Sequence, residues 1–266
     1  MKTRLMALWL AAAPILSSAM ALAQEAPAPT VKHLPGDAPK RVLFIANSLI
    51  YYSGGLQTHV HRLDSADKNP FNLKDGYKSV HITGANLANY PIEFLTTPGN
   101  LGPKEPYELF VLGGNSQDAA TDEGRARYRQ KVKEFDDAIK SRAGRTALLW
   151  LPAFAPNSPL GASDLGKKTE DMMLAVGNEV GALIIPLAPA FKEAYHRRPD
   201  LKLQVGYDAN HPTLVGQYLS ACVVYASIYG RSPVGNSYDY FGALDPETRL
   251  FVQTIAQETV KKFYGR

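Results

Sequence analysis

The sequence predicts an α/β protein of three layers, with a parallel sheet packed between helices on both faces. Two observations carry this. From Arg41 onward, short apolar runs rich in branched and aromatic residues alternate with longer amphipathic stretches, and repeated strand–helix alternation builds a covered parallel sheet. The chain has 266 residues with 45% hydrophobic and 20% charged, the make-up of an ordinary globular protein, which excludes wholesale disorder and fibrous repeats. No internal repeat is present.

The first strand is Arg41–Ala46 (RVLFIA), and runs of the same type follow at Ser79–Thr83, Glu108–Leu112, Thr146–Leu151 and Ala182–Pro186. Residues 122–142 give the clearest helix. Tyr128, Val132, Phe135 and Ile139 share one face, Thr121 can cap the start, Asp122 and Glu123 suit its positive end, and Lys140, Arg142 and Gly144 suit its close. Residues 213–229 are apolar almost all round, so this helix is expected to be buried, with Gly230 closing it. Asp245-Pro246-Glu247 reads as N-cap, first helical position and first-turn acid of a last helix, whose apolar face is Val252, Ala256, Val260 and Phe263. Three connections, 64–77, 152–163 and 231–244, are longer than a simple link needs.

The N-terminus has a different character. Lys2 and Arg4 precede an apolar run from Leu5 to Leu22 that ends Ala21-Leu22-Ala23, the pattern of a secretory signal peptide cut after Ala23. A membrane anchor is the rival, but a proline, two serines and many alanines dilute the run, so no span is expected after cleavage. Residues 24–40 read as a flexible Pro/Ala-containing leader, and 41–266 as one domain in the periplasm or outside the cell. Lys and Arg number 29 against 25 Asp and Glu, with no basic run, so nucleic acid is not an expected partner. The single cysteine, Cys222, excludes an intrachain disulfide framework and a Cys-rich zinc site.

In open parallel α/β sheets, ligands bind beyond the carboxyl ends of the strands. Ala46-Asn47-Ser48 follows the first strand, Thr83-Gly84 the second and Gly113-Gly114-Asn115 the third; Asp208-Ala209-Asn210-His211-Pro212 precedes the buried helix. This set suits acyl transfer to a serine. Ser48 needs a base to take its proton, His211 is the side chain best suited near neutral pH, and Asp208 can orient it. The Ser48 and Gly84 N–H groups and the Asn115 amide can serve a developing oxyanion.

These four blocks, in this order and at these spacings, resemble the GDSL/SGNH hydrolase family from about Arg41 to Gly230, with the Asp208–His211 run the most specific piece. The resemblance implies a flavodoxin-like sheet of about five parallel strands and a catalytic set of Ser, Gly, Asn and His at Ser48, Gly84, Asn115 and His211. Ala46 stands where the family usually has glycine, Asn47 where an acid is common, and Ser116 where Asp is common.

Other candidates are weaker. Ser116 is the rival nucleophile, because it too follows a strand. Gly235-Asn236-Ser237 matches Gly-Asn-Ser literally, but no apolar strand precedes it, so it reads as a turn. Tyr51, Tyr52, Tyr238, Tyr240 and Phe241 are candidates to line an acyl or sugar pocket, with Asn47 beside them. His59 and His61 point about 200° apart on a helix and cannot share a metal. No His-Glu-x-x-His, Gly-x-Ser-x-Gly, Walker or dinucleotide fingerprint occurs, so no metal and no cofactor are expected. The expected activity is a serine esterase acting on small-molecule, carbohydrate or lipid esters. An envelope-polymer acyltransferase and a non-catalytic binding protein that keeps the fold are the alternatives. The sequence leaves the oligomeric state open.

Overall fold

The computed structural model describes residues 28–68, 76–152 and 154–266. Five strands follow one another: β1 (Arg41–Ala46), β2 (Gly76–His81), β3 (Leu109–Gly113), β4 (Arg145–Leu149) and β5 (Leu183–Ile185). Around them lie α1 (Ser48–Tyr51), α2 (Leu56–Lys68), α3 (Ile92–Thr96), α4 (Asp122–Lys140), α5 (Leu165–Val180), α6 (Leu187–Arg197), α7 (Leu214–Tyr229) and α8 (Pro246–Tyr264). The strands lie in the order β2-β1-β3-β4-β5, and every neighbouring pair is parallel. This is the expected three-layer α/β/α fold with a flavodoxin-like sheet.

Alternation along each strand divides the core in two. Val42, Phe44 and Ala46 of β1 join Leu109 and Val111 of β3 under α2, α6, α7 and α8. Leu43 and Ile45 join Phe110, Leu112 and Leu148 under α4 and α5. The α4 face of Tyr128, Val132, Phe135 and Ile139 is buried, and Thr121 Oγ1 accepts the Gly124 N–H at 3.0 Å. Asp245 caps α8 in the same way, accepting from Thr248 N at 2.9 Å, and residues 216–228 of α7 are all buried.

The differences from the sequence reading have local causes. β2 begins at Gly76 and ends at His81, not 79–83, because this edge strand is only partly buried and its apolar signal is weak. β3 starts one residue after Glu108, whose carboxylate instead accepts the Lys40 N–H at 2.6 Å and pairs with Arg41. β4 stops at Leu149, since Trp150 and Leu151 already belong to the turn that leaves the sheet. At the close of α4 the left-handed residue is Ala143 (φ 59°) and not Gly144. Of the expected loop 64–77, residues 64–68 complete α2 and 76–77 open β2, while 69–75 lie outside the described residues.

Residues 1–23 and 24–27 also lie outside the described residues. Residues 28–40, expected as a flexible leader, are held against the sheet and its helices. Thr30 N and Oγ1 donate to Asn178 Oδ1, Asn178 Nδ2 donates back to Ala28 O, and Arg145 donates to the carbonyls of Pro35 and Asp37. Val31 and Leu34 pack on the core, an apolar contribution hidden in a proline-rich composition.

Candidate active site

The sheet order reverses between β1 and β3, and the crevice beyond their carboxyl ends is where such sheets bind ligands. Ser48 opens α1 directly after β1. Asn47 caps that helix by accepting the Leu49 N–H at 3.2 Å. Its amide donates at 2.9 Å to Ala85 O and at 2.9 Å to Gly114 O. Both polar side-chain atoms of Asn47 are thereby used, in three hydrogen bonds that tie together the turns after β1, β2 and β3, and the side chain is buried. Ala46 takes a non-positive φ and needs no glycine; its Cβ faces Gly113 on β3, where an added Cβ would come within 2.7 Å. One small side chain fits between these strands, and here β1 supplies it.

His211 arrives from the other end of the chain. Its Nε2 lies 2.8 Å from Ser48 Oγ, and its Nδ1 lies 2.5 Å from Asp208 Oδ2. A proton on Nδ1, directed at the carboxylate, leaves the Nε2 lone pair facing the serine hydroxyl. Burial acts to raise the Asp208 carboxyl, but the backbone N–H groups of Asn210 and His211 and the His211 ring outweigh it and hold the carboxyl below its ordinary value. The 208–211 turn is tight, with Ala209 at φ 56°, and the Ala155 N–H pins it by donating to Ala209 O at 2.7 Å.

Asn115 follows β3. Its Nδ2 donates to Gly84 O at 2.9 Å, its Oδ1 accepts from Gln117 N, and its own N–H donates to Asp118 Oδ2 at 2.7 Å. Burial pushes the Asp118 carboxyl up, against the opposing pull of that N–H and of Arg127. Gly84 sits at φ 72°, and the Asn115–Gly84 bond brings the turns after β2 and β3 together. Ser116 Oγ accepts from Asn210 Nδ2 at 3.3 Å, whereas His211 Nε2 faces Ser48. Asn236 accepts from Tyr238 N and donates to Leu63 O, so the Gly235-Asn236-Ser237 segment is a turn away from the imidazole.

The aromatic candidates divide. Tyr52 stacks on the His211 ring, centroids 4.2 Å apart and planes 22° apart, and the influence of the nearby Tyr207 together with burial pushes its phenol up to about 12. Tyr51 Oη pairs with Thr83 Oγ1 at 3.0 Å, and its ring lies against His81. Tyr238 belongs to a layer behind the site: its hydroxyl meets His59 Nδ1 at 3.0 Å and its ring packs on Tyr218. His59 and His61 diverge as expected, His59 toward Ser53 O and His61 onto the Tyr77 ring. Among the described residues no group of three or more His, Cys, Asp or Glu could hold a metal ion, and no helix is long and apolar enough to cross a membrane.

Several positioning groups were not singled out from the sequence. Tyr90 donates to Ala46 O while accepting the Ile82 N–H at 2.8 Å, which ties β1 to the turn after β2. Gln217 of α7 donates to Ile50 O at 2.8 Å and anchors α1 from below. Ser53 Oγ donates to Pro212 O at 3.2 Å. A lone Gln in an apolar helix or a Tyr in a turn is the only trace of these bonds in the sequence.

The sheet order and its covering helices form a fold that is similar to that of solved proteins described as SGNH hydrolases. No family model and no curated protein matches the sequence. Among solved structures, a DUF4886 family protein from Bacteroides uniformis is 16% identical over 83% of this chain and 94% of its own, with a TM-score of 0.61. A protein described as a candidate SGNH hydrolase from Slackia heliotrinireducens is 17% identical, over 71% and 98%, at 0.56. An acetylxylan esterase from Geobacillus stearothermophilus is 15% identical, over 71% and 94%, at 0.51. At such identities the likeness is one of fold.

Proposed function

We propose that the chain is a serine esterase that hydrolyses carboxylic esters through an acyl-enzyme, with short acyl groups, including O-acetyl groups on carbohydrates, as its substrates. The observation that carries this is the line Ser48 Oγ–His211 Nε2, 2.8 Å, continued by His211 Nδ1–Asp208 Oδ2, 2.5 Å. That is the geometry in which a neutral imidazole activates a hydroxyl and a carboxylate fixes its tautomer. The acetylxylan esterase among the similar folds supports the substrate class.

In this reading Ser48 Oγ attacks the acyl carbonyl carbon while His211 Nε2 takes its proton. The tetrahedral oxyanion is held by the Ser48 N–H, the Gly84 N–H and the Asn115 amide. Ser48 stands in the first turn of α1, where backbone N–H groups lack intrahelical acceptors. An amide carries two N–H groups; one of Asn115's holds Gly84 O, and the other serves the oxyanion. His211 then returns the proton to the leaving alkoxide, and the carbon–oxygen bond breaks. Water repeats the sequence on acyl-Ser48, with His211 again as base, and releases the acid. None of these steps calls on a metal or cofactor. We further assign residues 1–23 as an export signal and 41–266 as a single hydrolase domain, placing the reaction in the periplasm or outside the cell.

Labelling with a fluorophosphonate, together with p-nitrophenyl acetate hydrolysis, tests the reading. Wild-type protein is expected to label at Ser48 and to turn over the ester with or without EDTA. Ser48→Ala loses both activities, and Ser116→Ala keeps them. Label recovered on Ser116 or Ser237 overturns the assignment, and a folded wild-type protein that neither labels nor hydrolyses is a binding protein instead.

A further inference from the structure

The turn that follows Ser48 reaches back to His211 in two ways. Tyr52 is the residue that ends α1, and its N–H donates to the carbonyl of Ser48 itself. Its ring lies on the imidazole, 4.2 Å between centroids and 22° between planes. The next residue, Ser53, donates its hydroxyl to Pro212 O, directly after His211, at 3.2 Å. Ser53 holds a left-handed backbone (φ 53°) and is fixed there by His59 Nε2, which lies 2.7 Å from Ser53 O. A non-glycine residue in that conformation persists only when its surroundings hold it.

We propose that Tyr52 is a positioning residue for His211, its ring fixing the imidazole plane between Ser48 and Asp208 and stabilising the imidazolium that forms as the serine proton moves. This rests on the reading of His211 as the base. Two hydrogen bonds at Nδ1 and Nε2 define an axis through the imidazole but leave rotation about that axis weakly restrained. A ring stacked on the face removes that freedom. When Nε2 gains the proton, the negative face of the phenol ring meets a cation in place of a neutral ring, so the contact is stronger in the transition state than in the ground state. The stack is made by the ring, without the hydroxyl. The nucleophile and the support of its base are therefore carried by one five-residue turn, Ser48 to Tyr52.

The test compares Tyr52→Leu with Tyr52→Phe in the full chain by three measurements. The first is the steady-state split on p-nitrophenyl acetate. Tyr52→Leu is expected to lower kcat about 10-fold with KM within about twofold of wild type, while Tyr52→Phe keeps at least about half of kcat. The second is thermal melting, which establishes that both variants are folded. The third is the ring-proton NMR of His211 in histidine-labelled protein, assigned with His211→Gln. The upfield ring-current shift is expected in wild type and Tyr52→Phe and lost in Tyr52→Leu. A Tyr52→Leu protein with wild-type kcat, a loss confined to KM, a Phe variant as impaired as Leu, or a His211 signal indifferent to residue 52 overturns the proposal. A wild-type protein that shows the ring-current shift but does not hydrolyse esters overturns the esterase reading and leaves the stack standing as a structural fact.

Discussion

The two oxygens of Asp208 perform separate tasks. Oδ1 accepts the backbone N–H groups of Asn210 and His211, at 2.9 and 3.1 Å, and so folds its own turn; Oδ2 takes the imidazole. Because these bonds favour the anion, its pKa is held below the ordinary carboxylate value, and the clasp stays ionised throughout the neutral range. Asn115 is divided in a comparable way between Gly84 O, Gln117 N and Asp118. If its second amide N–H serves the oxyanion, Asn115→Ala removes one preorganised donor, and kcat on p-nitrophenyl acetate is expected to fall about 10²–10³-fold with little change in KM. A loss confined to KM makes Asn115 a substrate-binding residue. At this scale the sequence was legible wherever a residue and its partner share a short motif: Asp208 and His211 are three apart. From the sequence Asn47 reads as a pocket residue, because the carbonyls it holds, on Ala85 and Gly114, are 38 and 67 residues away. Tyr52 stood only among five candidate aromatics, since nothing in the sequence brings position 52 to position 211.

The elements that carry the site depend on close approach between α7 and the segment before it. Thr213 caps α7 through Gly216 N at 3.2 Å, and its N–H and hydroxyl donate to Leu203 O and Lys202 O. Gln204 bridges to Pro212, and Val205 N donates to His211 O at 2.9 Å. Residues 203–213 thus form a narrow loop whose tip holds Asp208 and His211 and whose base rests on the start of α7. Gly216 permits that contact, since a Cβ there would fall 2.0 Å from Leu203 O, a backbone atom that cannot rotate away. Gly216→Ala is expected to destabilise by about 1–3 kcal/mol, seen as a melting point lowered by several degrees, and to slow fluorophosphonate labelling. Gly166→Ala in α5, where an added Cβ meets nothing within 4 Å, serves as the control and leaves both unchanged or slightly improved. An equal effect at the two positions removes the packing argument. Periodicity placed α7 correctly from its apolar composition, but Gly216 is only one more small residue in that pattern, and its role depends on a carbonyl that periodicity does not register.

Across the whole molecule, a buried polar network explains why the long 231–244 connection keeps one path. Gln253 of α8 donates to Tyr218 Oη and Asn236 O and accepts from Gly235 N, Tyr218 donates to Tyr238 O, and Asn236 donates to Leu63 O. The network reaches the site through Tyr238 and His59, and from His59 to Ser53 and Pro212. Here the sequence was least informative, because its polar members lie in helices that periodicity assigns to the core and their partners come from α2, α7, α8 and the connection itself. His59 is the titratable member. It is fully buried, and burial lowers its pKa, opposed by the bond to Ser53 O. The folded protein therefore excludes a proton that the unfolded chain binds below about pH 6.5, its ordinary value. Folded pKa below unfolded pKa means that the unfolded state holds more protons between the two, so stability rises with pH across that window. The contribution is fully present above about pH 6.5 and is lost as the pH falls toward the lowered folded pKa. His59→Gln retains a side-chain N–H for Ser53 O but cannot titrate. The melting point of the wild type is expected to fall more steeply than that of His59→Gln between about pH 7.5 and 5, with the two curves converging on the acid side. Parallel curves would show that His59 is not the group whose protonation loosens the turn beside Ser48.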